Sequence, residues 1–165
     1  MDAGLYQSPL GSILIIADGE AITGLWMEGQ SGRPDDNIAD TPGTTAIKNA
    51  CAWLDMYFNG SHPSTAGLNL SPSGTEFQKI VWKHLLMIPY GQTVTYGDIA
   101  KAIAKEIGVE RMSAQAVGGA VGANPISIII PCHRVIGAGG KLTGYAGGID
   151  KKQWLLDLEQ RSNGI

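Results

Sequence analysis

The sequence predicts an α/β chain of the α+β kind: a small β-sheet domain with one helix over residues 1–74, then a mainly helical, winged helix-turn-helix-like domain over residues 75–165 that carries Cys132. Three observations predict it. The first residues hold apolar runs interrupted at Pro9 and at Asp18-Gly19, the pattern of a β meander. Residues 61–74, with Pro63, Gly67, Pro72 and Gly74, read as a boundary between two halves. Beyond that boundary the apolar spacing turns helical and the charge balance changes sign.

Residues 5–7 form a short strand ahead of Pro9. Residues 11–18 are an apolar run ending on the hairpin signal Asp18-Gly19. The next strand alternates, with Ile22, Gly24 and Trp26 on one face and Thr23, Leu25 and Met27 on the other. Residues 29–43 are polar and rich in Gly and Pro, a surface loop. A helix follows from an N-cap at Thr44 or Thr45, with Ile47, Ala50, Cys51, Leu54 and Phe58 inward, and Asn59-Gly60 ends it.

In the second half Thr75 caps a helix whose apolar face is Phe77, Ile80, Val81, Leu85 and Ile88. Pro89-Tyr90-Gly91 is a turn. Residues 96–104 form a short helix with Ile99, Ala100 and Ile103 inward, and Ser113 caps a third. Two short helices after a turn, the second small and polar at its start, suggest a helix-turn-helix. Residues 126–130 are a β-branched run, a buried extended segment ending at Pro131; after a Gly-rich stretch, Asp150 caps the last helix.

No window approaches 18 consecutive apolar residues, so no transmembrane helix is expected, and an acidic residue at position 2 with no basic stretch beside it speaks against a secretory signal. Two cysteines, Cys51 and Cys132, supply neither a disulfide framework nor a four-ligand zinc spacing. A reduced, cytoplasmic, monomeric protein without metal or cofactor is expected. The net charge of −3 disfavours nucleic acid, but its distribution reverses that: residues 1–74 carry two basic and eight acidic side chains, residues 75–165 ten basic and seven acidic. The second half is the one suited to phosphates, with modest, salt-sensitive affinity.

The sharpest feature is Pro131-Cys132-His133-Arg134-Val135. A thiol becomes a good nucleophile at neutral pH only when its proton is removed, and a nearby histidine can do that. A Cys-His pair alone reads more readily as a core cysteine beside a surface histidine, since buried free cysteines are common. In an extended segment the two side chains would also point to opposite faces, so that a bridging water would be needed.

The surrounding residues carry a resemblance. Ala116-Val117-Gly118-Gly119-Ala120, Asn124-Pro125-Ile126, Ile130 to Ile136, and Gly144-Tyr145-Ala146-Gly147-Gly148 together resemble the O6-alkylguanine-DNA alkyltransferases, the methylated-DNA–protein-cysteine methyltransferases. Ile88-Pro89-Tyr90-Gly91, Thr93, Thr95-Tyr96, Ile99-Ala100, Trp154-Leu155-Leu156 and Glu159 extend the match over about residues 75–160. Residues 1–74 resemble the family's smaller domain in layout only.

The resemblance implies direct, single-turnover repair of O6-alkylguanine, and of O4-alkylthymine, in double-stranded DNA entered from the minor groove. It makes Cys132 the alkyl acceptor, His133 the base acting through a water, and Glu159 the group that orients and charges that histidine. Asn124 stiffens the turn, and Tyr96 donates to the leaving guanine. Tyr145 and Gly147 line the base pocket, while backbone groups of Cys132, Val135 and Ala146 read the base edge. Ser113, Ala114, Ala116 and Gly118 form a slim helix able to approach DNA, with Arg134 among the DNA contacts. An O6-alkyl group inside a duplex is out of reach, so the base must be flipped out. The family often has an arginine where this chain has Gln115, which predicts weaker DNA binding by about 1–2 kcal/mol. Arg111 is close enough in sequence to compensate in part.

Two other classes fit parts of the pattern. A non-catalytic lesion binder or helix-turn-helix regulator would share the fold but not need Cys132. A thiol hydrolase using Cys132, His133 and Glu159 would need an oxyanion hole that no residue pattern supplies.

Overall fold

The computed structural model describes residues 1–35, 44–145 and 147–163. Three antiparallel strands open the chain, β1 (Asp2–Ser8), β2 (Gly11–Asp18) and β3 (Ala21–Met27), in that order across the sheet. β1 is longer than the expected 5–7 because Asp2 already pairs with Ala17. Ser8 pairs with Gly11 across the first turn, and Gly11 takes φ 98°, a conformation suited to glycine. The alternation predicted for β3 is broken by a bulge: Ile16 pairs with Gly24 but Ala17 with Ile22, leaving Thr23 as the extra residue. Ile22 thereby joins Leu25 and Met27 on the core face, while Trp26 packs with Ala3, Leu14 and Ile16 on the other.

Helix α1 (Thr45–Phe58) covers the sheet. Its backbone N-cap is Thr44, whose side chain makes no capping bond. Buried Ala46, Ile47, Ala50 and Leu54 follow the expected stripe, but Trp53 and Tyr57 are buried too and widen it. Cys51 and Phe58 lie at its margin, partly buried. The expected loop at 29–43 lies outside the described residues from 36 onward. Within its described part, Gln30 is buried, accepting from Met27 N–H and from the Ser127 hydroxyl.

The second half is built on α2 (Glu76–Leu86), α3 (Tyr96–Ile107) and α4 (Ala114–Gly122). Thr75 with Gln78 and Thr95 with Asp98 form capping boxes, satisfying otherwise orphaned N–H groups. Ser113 Oγ accepts from Ala116 N–H at 3.1 Å and starts α4. Gly108 ends α3 at φ 74°. Trp82, fully buried, donates from Nε1 to Ala120 O at 2.8 Å and ties α2 to α4. Between turns, β4 (Val94–Thr95) pairs in parallel with β5 (Val135–Ile136), a ladder too short to leave a periodic signal. The last helix, α5 (Ile149–Asn163), begins one residue before Asp150. Asp150 therefore sits in the first turn and favours the helix by its charge rather than as a cap.

Residues 126–130 are buried as expected but not extended. Ile128 takes φ 70°, rare for a β-branched residue, and N–H groups of Ile129 and Ile130 bond back to Ser127 O and Ile126 O. The segment also docks on the sheet edge: Leu25 N–H donates to Pro125 O and Ser127 N–H to Leu25 O. One apolar core thus runs through both halves, from Ile15 and Leu54 to Val81, Ile103 and Leu155. Among the described residues no helix is long and apolar enough to cross a membrane.

Candidate active site

The curled 126–130 segment is held by one side chain. Asn124, buried, accepts from Ile126 N–H through Oδ1 at 3.0 Å and donates from Nδ2 to Ile130 O at 2.9 Å. Pinched between these bonds, the chain passes Pro131 and enters a 3₁₀ turn over Cys132–Arg134. This turn replaces the extended geometry that would have sent Cys132 and His133 to opposite faces. Cys132 is buried, 6 % exposed, and His133 is fully buried.

The carboxylate of Glu159, on α5, collects five donors. Its Oε2 accepts from His133 Nε2 at 2.5 Å, Tyr57 OH at 2.7 Å and Arg134 Nη2 at 3.2 Å. Its Oε1 accepts from Arg134 Nε at 2.8 Å and Gly91 N–H at 2.9 Å. Arg134, expected among the DNA contacts, is instead turned inward. Its third nitrogen donates to Ile88 O at 2.7 Å, and the guanidinium lies over the Tyr90 ring at 5.5 Å. The buried countercharge of Glu159 draws it there, and a guanidinium so engaged offers little to a phosphate.

Burial pushes the Cys132 thiol above its ordinary pKa, against smaller lowering effects of Asn124, the Lys152 charge and Tyr145. Burial also lowers His133, although Glu159 pulls the other way. For Glu159 burial alone would raise the carboxyl, but His133 and Arg134 together hold it far below the usual carboxylate range. The resting pair is therefore a neutral thiol and a neutral imidazole beside a carboxylate. With Nε2–H committed to Glu159, the lone pair falls on Nδ1, which is buried and has no hydrogen-bond partner among the described residues. Such an imidazole can take one proton and be stabilised as a cation by the same carboxylate.

Lys152, fully buried on α5, donates from Nζ to Val135 O at 2.6 Å and Thr143 O at 3.1 Å. Burial lowers its pKa and the nearby Cys132 raises it. It braces the strand after the cysteine against the Gly-rich loop, and Val135 O, with two lone pairs, keeps one for another donor. Lys152→Met is expected to strand both carbonyls and cost about 1–3 kcal/mol each in the worst case. The urea midpoint of the variant checks this, and an unchanged midpoint would show the bracing to be unimportant.

The Tyr145 hydroxyl is buried and meets no described partner in full hydrogen-bond geometry. It lies near enough to the thiol for burial and Cys132 to push its pKa well up, so it stays protonated. A groove of about 840 Å³ opens alongside, lined by Tyr96, Gln115, Gly118, Thr143 and Gly144 among others; Cys132 is not part of its wall. Tyr96 OH accepts from Thr143 Oγ1 at 3.2 Å, leaving its own proton to donate elsewhere. Ala114, Gln115 and Ala116 are exposed on the first turn of α4, where Ser113 is occupied as the cap. Gly147 approaches closely: a Cβ there would stand 2.7 Å from Met27 Cε. Ala146 lies outside the described residues.

Sequence reasoning missed Tyr57 and Lys152. Tyr57 lies in the first half, 76 residues from His133, and no local pattern connects them. Lys152 reads as one of two surface lysines opening a helix.

Two family models cover the chain. The DNA-binding domain of 6-O-methylguanine DNA methyltransferase matches residues 76–161, and that enzyme's ribonuclease-like domain matches residues 1–72. The chain belongs to the 6-O-methylguanine DNA methyltransferase family. Among its relatives in this family, the methylated-DNA–protein-cysteine methyltransferase of Methanosarcina acetivorans is 44 % identical over 94 % of this chain and 96 % of its own length. That of Mycobacterium tuberculosis is 46 % identical, over 93 % and 89 %. The crystal structure of M. tuberculosis OGT in complex with DNA superposes with a TM-score of 0.84 at 43 % identity, covering 98 % of this chain and 94 % of that one. The mixed α/β architecture expected from the sequence is thus that of this methyltransferase family.

Proposed function

We propose that the protein repairs DNA directly, moving the alkyl group of O6-alkylguanine, and of O4-alkylthymine, onto Cys132. The observation that carries this is the buried Cys132–His133–Glu159 constellation, in which His133 Nδ1 has no hydrogen-bond partner among the described residues, in a chain of the methyltransferase family. The Cys132 thiol gives its proton to His133 Nδ1 through a water. The sulfur then attacks the alkyl carbon in line, forming a C–S bond as the C–O6 bond breaks. The electron pair leaves on the guanine, whose charge is stabilised by a hydrogen bond from Tyr96 OH, and the guanine is neutralised by a proton from solvent, which takes up the thiol proton released later by His133. Glu159 holds the imidazolium that results. Water does not hydrolyse the thioether, so each molecule acts once.

Asn124 fixes the turn that presents the thiol. Tyr145, Gly147 and backbone groups of Val135 and Ala146 receive the flipped base, and the exposed small residues of α4 approach the minor groove. Division into units at 1–74 and 75–165, a monomeric state and a cytoplasmic site of action belong to the same reading. The relatives' names and the DNA-bound M. tuberculosis structure support the chemistry and the partner.

The test is intact-mass spectrometry after mixing the protein with duplex DNA carrying one O6-methylguanine. One methyl group gained per molecule, mapped to the peptide holding Cys132, is the expected result. No gain at any protein:DNA ratio would overturn it. Gln115 at the groove offers a second check. Gln115→Arg is expected to tighten duplex binding by about 1–2 kcal/mol, roughly 5–30-fold, with steeper salt dependence. Fluorescence anisotropy across a salt series measures both.

A further inference from the structure

One side chain of the first half bonds directly to the Glu159 carboxylate. Tyr57, near the C-terminal end of α1, is fully buried. It is stacked on Trp53 at 5.4 Å and meets Phe58, Tyr90 and His133 edge-on. Its hydroxyl donates to Glu159 Oε2 at 2.7 Å and lies 3.4 Å from His133 Nε2. That oxygen is the one His133 uses, and with Arg134 Nη2 at 3.2 Å three donors share it.

We infer that Tyr57 is a positioning residue of the transfer site, its hydroxyl sharing Glu159 Oε2 with His133 and thereby setting the orientation and basicity of the imidazole. The inference rests on the alkyl-transfer reading above. A donor on Oε2 withdraws electron density and weakens the carboxylate's hold on the His133 Nε2–H. Tyr57 can play this part because it remains protonated: burial first, then Glu159, push its pKa well up. The groups that bear on His133 are Glu159 and Lys152 from α5, Arg134 and Cys132 on its own turn, and Tyr57 from α1; Tyr57 itself faces Glu159, Arg134 and Tyr90. None of the others duplicates a neutral donor on Oε2, since Arg134 reaches that atom with a fixed charge.

Tyr57→Phe keeps the ring and removes only the donor. His133 should then become more basic. Because the imidazole must be neutral to accept the thiol proton, the acid limb of the pH–rate profile should move to higher pH, by about half a unit or more. That corresponds to a fall of about threefold or more in single-turnover rate on the limb. The ring-nitrogen chemical shifts of His133, titrated by NMR in both proteins, should move in the same direction and can be read even where transfer is lost. An unmoved limb and unmoved titration, whatever the rate at the plateau, would overturn the role. If the wild-type protein takes up no methyl group, the transfer reading fails, and the NMR titration still decides whether Tyr57 governs His133.

Discussion

Replacing Cys132 with alanine is expected to abolish uptake of the alkyl group altogether while leaving the protein folded and able to hold alkylated duplex DNA. The fold should survive because only one heavy atom is removed from a 6 % exposed position, at a cost of about 1 kcal/mol. Binding should survive because the groove and the exposed first turn of α4, with Ala114, Gln115 and Ala116, do not depend on the thiol. Chemistry should not, because no second thiol shares the relay. Cys51 lines a separate pocket on α1 with Gly4, Leu5 and Asp55. Mass spectrometry of Cys132→Ala after incubation with O6-methylguanine duplex should show no added methyl group, and an electrophoretic shift should still show complex. A methyl group found on Cys51 in either protein would mean that the acceptor has been misassigned.

The parts of this molecule that could be read from sequence are those encoded in neighbouring residues. Asp18-Gly19, the caps at Thr75 and Ser113 and the Pro131 to Val135 run each act within a few positions, and the structure uses the first three as local signals. What sequence could not show depends on pairings that no periodic pattern or turn signal marks, some of them between distant residues. The bulge at Thr23 arises from pairing with Ile16 and Ala17, and the curl of 126–130 from Asn124 bonding across it. Arg134 stood among the DNA contacts that the resemblance implies, as an arginine beside the nucleophile in a half with excess positive charge. A carboxylate 25 residues later turns it inward instead. The same non-locality hid Tyr57, whose partner Glu159 is 102 residues away. The active site is thus legible, through the family resemblance, at Cys132, His133, Asn124 and Glu159, and illegible at Tyr57, Lys152 and the inward turn of Arg134.

Glu159→Ala should destabilise the protein more than any other single truncation at the site, by about 3–5 kcal/mol. Arg134 would keep its buried charge with Ile88 O as its one remaining hydrogen-bond partner among the described residues, while His133 Nε2, Tyr57 OH and Gly91 N–H would each lose an acceptor. Glu159→Gln keeps the shape, satisfies some of these donors and should cost less, yet it places an N–H₂ against groups that are all donors. The pH dependence separates charge from shape. In the folded protein the Glu159 carboxyl sits far below its ordinary pKa, so its stabilising effect is complete above the unfolded-state value of about 4.3. It is lost as pH falls from there toward the depressed folded-state pKa. His133 adds to this acid sensitivity: its folded pKa is lowered by burial, so the unfolded chain takes up its proton first as pH drops below about 6.5. Urea unfolding between neutral pH and pH 3 should therefore show wild-type stability falling in two stages, with the lower stage reduced in Glu159→Gln to what Asp98 and Glu106, whose carboxyls are also lowered, contribute. If the variant keeps the full acid slope below pH 4.5, the charge of Glu159 is not what holds the His133–Arg134 turn together.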